Sequence, residues 1–195
     1  MRVVRTLIDE LIQAGRILYE QRLVDSHSGN LSVRDGRTVA ITRTGARLGY
    51  LSYHDFVHLD LDRPDPHLIE RASREWPVHR AVYHALADVQ VILHAHPVYL
   101  NVWAWRVDTF VPDDIEGKYY IPQAPVIEVD PPTATTALGE ALANALRNAR
   151  VVLVRHHGAF AAGPDVDRAL KWLVAAERSA QMKYLHLILQ SVLSE

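Results

Sequence analysis

Two short apolar runs constrain this chain most, because each breaks off in histidines. Val89-Gln90-Val91-Ile92-Leu93 leads into His94-Ala95-His96-Pro97, and Val151–Val154 leads into Arg155-His156-His157-Gly158. Runs this short, bounded by proline or glycine, read as strands: Val89–His96 stops at Pro97, and Val151–Val154 is buried. Residues 2–24 place Val4, Leu7, Ile8, Leu11, Ile12 and Leu18 at three-and-four spacing, which predicts an amphipathic helix. Leu31–Val33 and Thr38–Ile41 flank Asp35-Gly36 as a hairpin, and Phe56–Leu61 is a further short strand. Prolines and charges mark residues 62–72 as a loop. Ser73–Ala87 then reads as a helix, with Ser73 as N-cap, Glu75 in the first turn and Pro77 tolerated near the start.

Residues 106–132 hold five of the ten prolines and form an irregular segment with a strand at Val126–Val129. Thr133–Ala149, with Leu138, Leu142 and Leu146 at four-residue spacing, and Pro164–Leu193 complete the pattern as helices. There is no internal repeat, low-complexity tract or interdomain linker. Residues 1–195 therefore read as one α/β domain with hairpin and crossover connections.

Composition narrows the chemistry. The chain has eleven histidines and no cysteine, so thiolate zinc sites, iron–sulfur clusters, disulfides and cysteine nucleophiles are excluded. Any metal must be held by His, Asp or Glu. With 21 basic and 23 acidic side chains the formal charge is -2, and the arginines are scattered. That balance offers no stripe for nucleic acid and no polybasic membrane patch. The first residues, MRVVRTLIDELIQAG, carry acids inside the first ten positions and lack the apolar core of a secretory signal. A soluble cytoplasmic protein is the expectation.

In a strand, residues i and i+2 share a face roughly 6.6 Å apart, so His94 and His96 can converge on one ion at an open strand end. The plainer reading is two half-buried polar residues bonded to backbone. A second strand delivering His156 and His157 strengthens the metal reading, since three imidazoles and an open position are a usual catalytic zinc arrangement. Adjacent histidines point apart, and spacing does not choose between these two. Glu75 and His79 share a helix face, which taken alone reads as an ordinary solvated pair; because the helix leads straight into the His-x-His strand, Glu75 could instead sit near a metal. Ser28-Gly29-Asn30-Leu31-Ser32 and Thr42-Arg43-Thr44-Gly45 are small-residue turns able to cradle an anion, although each alone is simply a turn.

Taken in order, Gly29-Asn30-Leu31-Ser32, Thr42-Arg43-Thr44-Gly45, Ser73-Arg74-Glu75, His94-Ala95-His96-Pro97 and His157-Gly158 resemble the motifs of the class II aldolase/adducin family, over about residues 3–190. The resemblance implies a three-layer α/β/α sandwich around a mixed, largely antiparallel central sheet, commonly a homotetramer with sites between subunits. It implies zinc, or another divalent metal such as manganese, on His94, His96 and His157, and so selects His157 over His156. Glu75 matches the family's acid/base glutamate, and Asn30, Thr44, Gly45 and Ser73 match positions that hold a substrate phosphate. Where the sugar-phosphate enzymes usually carry a second serine, this chain has Arg74, whose fork suits phosphate or carboxylate.

The implied reaction is cleavage of a ketose phosphate, fuculose-phosphate-like, to dihydroxyacetone phosphate and an aldehyde through a metal-stabilised enediolate. The alternatives are a decarboxylase of a hydroxylated acid, a ribulose-5-phosphate 4-epimerase-like enzyme, and a non-catalytic adducin-like interaction module. Tyr119 and Tyr120 are the candidates for the second acid that the family draws from a neighbouring subunit.

Overall fold

The computed structural model describes residues 2–194, with side chains from Arg5 onward, so Val4's side chain lies outside the described residues. In chain order the elements are α1 (Arg2–Glu20), β1 (Asn30–Asp35), β2 (Thr38–Thr42), β3 (Phe56–Asp60), α2 (Pro66–Ile69), α3 (Trp76–Ala85), β4 (Val91–Ala95), α4 (Val98–Ala104), β5 (Thr109–Phe110), α5 (Ile115–Tyr120), β6 (Ala124–Ile127), α6 (Thr136–Leu146), β7 (Val151–Val154), β8 (Gly158–Gly163) and α7 (Val166–Leu193). The strands form one sheet in the order β3-β2-β1-β4-β8-β7-β6-β5. Among the described residues only β6 and β7 pair in parallel, and the other neighbouring strands pair antiparallel.

The two-residue period of the strands sorts their side chains between two cores. Leu31, Leu93, Leu153 and Ala161 pack with Leu11, Leu18, Leu100 and Leu173 of α1, α4 and α7. On the other face Ile41, Ile92, Val152 and Phe160 pack with Val78, Val82, Leu138 and Leu142 of α3 and α6. Helices thus cover both faces, giving the three-layer sandwich. The strands nearest the middle are apolar throughout because neither face meets water.

Several boundaries differ from the sequence reading. α1 stops at Glu20, where the chain turns through Arg22 at φ 61°. The loop at 62–72 contains the single turn α2, capped by Asp65 accepting from the His67 N–H. α3 begins at Trp76, not Ser73: Ser73 Oγ accepts from the Glu75 N–H at 3.2 Å, and Glu75 itself occupies the N-cap position. α6 and α7 start two or three residues late, each at a side chain that bonds the first turn, Thr135 and Asp165. β8 and α4 have no counterpart in the sequence reading. β8 reads Gly-Ala-Phe-Ala-Ala-Gly, too small and unbranched to signal a strand, yet all six residues are buried between β4 and β7.

Candidate active site

β4 and β7 both end at the same edge of the sandwich, and β8 lies between them. The turn from β7 into β8 can approach β4 because it contains Gly158, where a Cβ would stand 2.5 Å from the Ala95 carbonyl oxygen. Through this close approach His94 Nε2 lies 3.2 Å from His157 Nε2 and 3.1 Å from His96 Nε2. The ligand atoms of the three rings all fall within 4.8 Å of one another. His156, at φ 61°, is exposed and faces the Trp105 ring instead. The choice that spacing left open is made by this turn.

Three imidazole nitrogens facing each other need an electrophile. His94 Nδ1 lies 3.1 Å from the Ala159 carbonyl, which can only accept, so the proton sits on Nδ1 and the Nε2 lone pair faces the other two rings. Burial, and then repulsion from its histidine neighbours, pushes the His94 pKa well below the usual histidine value. His96 is lowered by burial and by His157; His157 is lowered by burial against an opposing contribution from the Pro132 backbone. All three are thereby held neutral, the form that ligates metal. Two imidazoles on one tetrahedral zinc stand roughly 3.4 Å apart, close to the observed separations. The donor set fits a divalent ion.

Glu75 is 5% exposed. One carboxylate oxygen, Oε1, accepts from the Thr133 hydroxyl and from the Ala134 N–H at 3.2 Å, while Oε2 is buried without a partner among the described residues. Burial raises its pKa above the ordinary carboxylate value, opposed by those two hydrogen bonds and by the Arg74 guanidinium. The group is anchored at one oxygen and able to hold or release a proton at the other. Thr133 and Ala134 gave no local signal: the sequence pattern assigned Thr133 to the start of a helix.

His79 does not form the solvated pair with Glu75 that its spacing suggested. It is fully buried, its Nδ1 lies 2.7 Å from Ser32 Oγ, and burial pushes it down to about 3.

Asn30, Thr44, Gly45, Ser73, Arg74, Glu75, His94, His96 and His157 all line one cavity of about 350 Å³, together with His27, Ser28, Gly29, Arg43, Ala46, Thr133 and Ala134. One wall of the cavity follows the turn at Asp25, whose carboxylate accepts from the His27 and Ser28 N–H groups at 2.9 and 2.8 Å. Gly29 follows at φ 80°, where a Cβ would meet the His94 carbonyl oxygen at 2.6 Å. The Arg43 guanidinium is held by Asp55 at 2.9 Å, whereas Arg74 has no ion pair among the described residues. Tyr119 and Tyr120 do not line this cavity.

The sequence pattern of the Class II Aldolase and Adducin N-terminal domain matches residues 9–184. The chain belongs to that family. The crystal structure of L-fuculose-1-phosphate aldolase from Thermus thermophilus superposes with a TM-score of 0.89 at 32% identity, covering 95% of this chain and 96% of that one. L-fuculose phosphate aldolase of Methanocaldococcus jannaschii is 25% identical over 185 residues, 93% of this chain and 97% of that protein. The 3-oxo-tetronate 4-phosphate decarboxylase of Haemophilus influenzae is 30% identical over 180 residues, 88% of this chain and 84% of that protein. This family member thus shares its fold with aldolases and its sequence with both aldolases and a decarboxylase.

Proposed function

We propose that this class II aldolase family member is a divalent-metal-dependent carbon–carbon lyase that cleaves a ketose phosphate, fuculose-phosphate-like, to dihydroxyacetone phosphate and an aldehyde. The observation that carries the reading is the meeting of three neutral imidazoles, a carboxyl group with raised pKa and an anion cradle in one cavity. His94, His96 and His157 would hold zinc, or manganese. When bound, such an ion polarises a carbonyl and stabilises the negative charge left on the substrate as the bond breaks.

The chain's own residues do the rest. Asn30, Thr44, Gly45 and Ser73 seat the phosphate and so fix which carbon faces Glu75. During cleavage the hydroxyl on the departing carbon loses its proton, its electrons form the aldehyde, and the bonding pair stays beside the ketose carbonyl. Glu75 returns a proton to that carbon, using the oxygen that Thr133 and Ala134 do not occupy. Tyr119 or Tyr120 of a neighbouring copy is the candidate acceptor of the hydroxyl proton, in a cytoplasmic homotetramer.

Loss of activity to a chelator, with survival of activity when substrate and borohydride are added together, supports the metal route. The opposite pattern would indicate a Schiff base on Lys118, Lys171 or Lys183, none of which lines the cavity. A second reading, decarboxylation of a phosphorylated hydroxy acid, is favoured by the unpaired Arg74, which could hold a carboxylate. Screening ketose phosphates against phosphorylated sugar acids separates the two, and turnover of neither class would favour an adducin-like interaction module.

A further inference from the structure

We propose that Phe160 is a positioning residue for the histidine triad, a flat plate that sets the orientation of His94 and His157, and that His79 of α3 packs against the plate and helps to hold it. The proposal rests on the triad being a metal site. β8 lies between the two strands whose ends carry the histidines, and Phe160 stands directly opposite His94 of β4 and Val152 of β7 in the strand register. Its ring is fully buried and stacks on His94 at 4.0 Å between centroids and 15° between planes. The same ring meets His157 edge-to-face, with centroids 6.2 Å apart.

A hydrogen bond from Nδ1 to the Ala159 carbonyl fixes which nitrogen of His94 is free, but it leaves the ring able to swing about that bond. A stacked plate removes the swing.

His79 meets Phe160 edge-to-face at 6.3 Å. It is anchored by Ser32 Oγ, which is itself 2.7 Å from the Tyr83 hydroxyl, while its Nε2 finds no hydrogen-bond partner among the described residues. The proton-bearing chemistry of the reaction does not use His79. Its place in the fold is between Ser32 of β1 and the Phe160 ring.

The test is titration of the metal-free protein with Co²⁺ alone, read as affinity and as the visible ligand-field spectrum. Phe160→Leu, and Phe160→Met as a substitution closer in volume, weaken Co²⁺ binding by about 10–100-fold and alter the band positions. Leu142→Ala, which removes buried packing on the same face of the sheet without touching the triad, keeps wild-type affinity and spectrum. His79→Asn keeps a polar partner for Ser32 but no ring, and shifts the bands in the same direction as Phe160→Leu with a smaller loss of affinity. Wild-type affinity and spectrum in both Phe160 variants would overturn the proposal, as would an equal loss in Leu142→Ala. An unchanged spectrum in His79→Asn would remove His79 from it. If the wild-type protein takes up no Co²⁺, the metal reading fails first.

Discussion

The strands β4, β7 and β8 open onto cavities at both ends, and the two cavities are built differently. At the histidine end the space is about 350 Å³ and its walls include the buried polar groups Asn30, Ser73, Glu75 and His94. At the other end about 650 Å³ lies among Leu86, Val89, Leu146, Arg147, Arg150 and Trp172. There Arg150 has an ordinary occupation, lying over the Trp172 ring and donating to the Tyr120 carbonyl. The larger cavity asks nothing unusual of its residues. The smaller one keeps a carboxyl group buried with an unpartnered oxygen beside three imidazoles nearly touching, a concentration of costly arrangements in one cavity that marks a site for a ligand or a reaction. Chemistry rather than volume distinguishes the two ends.

Substitutions at the two ends should therefore diverge. The largest effect is expected from Glu75→Gln, which keeps the shape and loses the proton: turnover falls by about 10²–10⁴-fold while metal content is unchanged, measured by steady-state kinetics beside metal analysis. Arg74→Ser, which restores the serine pair usual in sugar-phosphate enzymes, is expected to change KM by about tenfold, the size of one charge-assisted contact. The direction discriminates: a rise for phosphorylated sugar acids with little change for ketose phosphates favours the decarboxylase reading.

Behind the histidine end, Glu177 of α7 accepts from the Tyr99 and Leu100 N–H groups at 3.0 and 2.9 Å, holding the start of α4 just after His96-Pro97. Burial raises its pKa. Between the ordinary carboxylate value and this raised one, the folded state holds more protons than the unfolded state, so the contribution is full at acid pH and is lost as pH rises through the raised value. Unfolding measured from acid to neutral pH should show the wild type gaining on Glu177→Gln toward acid. Equal slopes would contradict the assignment.

The smallest effect is expected at the far cavity. Arg150→Ala leaves turnover and metal content unchanged and lowers stability by about 1 kcal/mol through the lost Trp172 contact. A loss of activity there would end the contrast between the two ends.

Much of the histidine end was legible in the sequence because its information is local. There the strand Val151–Val154 and the pairing of His94 with His96 follow from the two-residue period, as the hairpin at Asp35-Gly36 at the opposite end follows from turn chemistry, and the structure has all three. What was not legible depends on partners distant in the chain. β8 is built of small residues because helices and strands crowd it, as at Gly163, where a Cβ would meet Trp172 at 2.7 Å. α4 has its first N–H groups satisfied by Glu177 in place of a local cap. Thr133 reaches Glu75 only through the packing of α6 against α3. Likewise Ser73 reads as a helix cap, and in the fold its N–H donates to the Thr42 carbonyl, joining two loops that line the cavity.

Three histidines from two strand ends are placed to hold one metal ion. Metal analysis of the purified protein beside His94→Ala and His157→Ala tests it most directly. One divalent ion per chain is expected in the wild type, lost from both variants while His156→Ala retains it. Full metal content in His94→Ala or His157→Ala would contradict it.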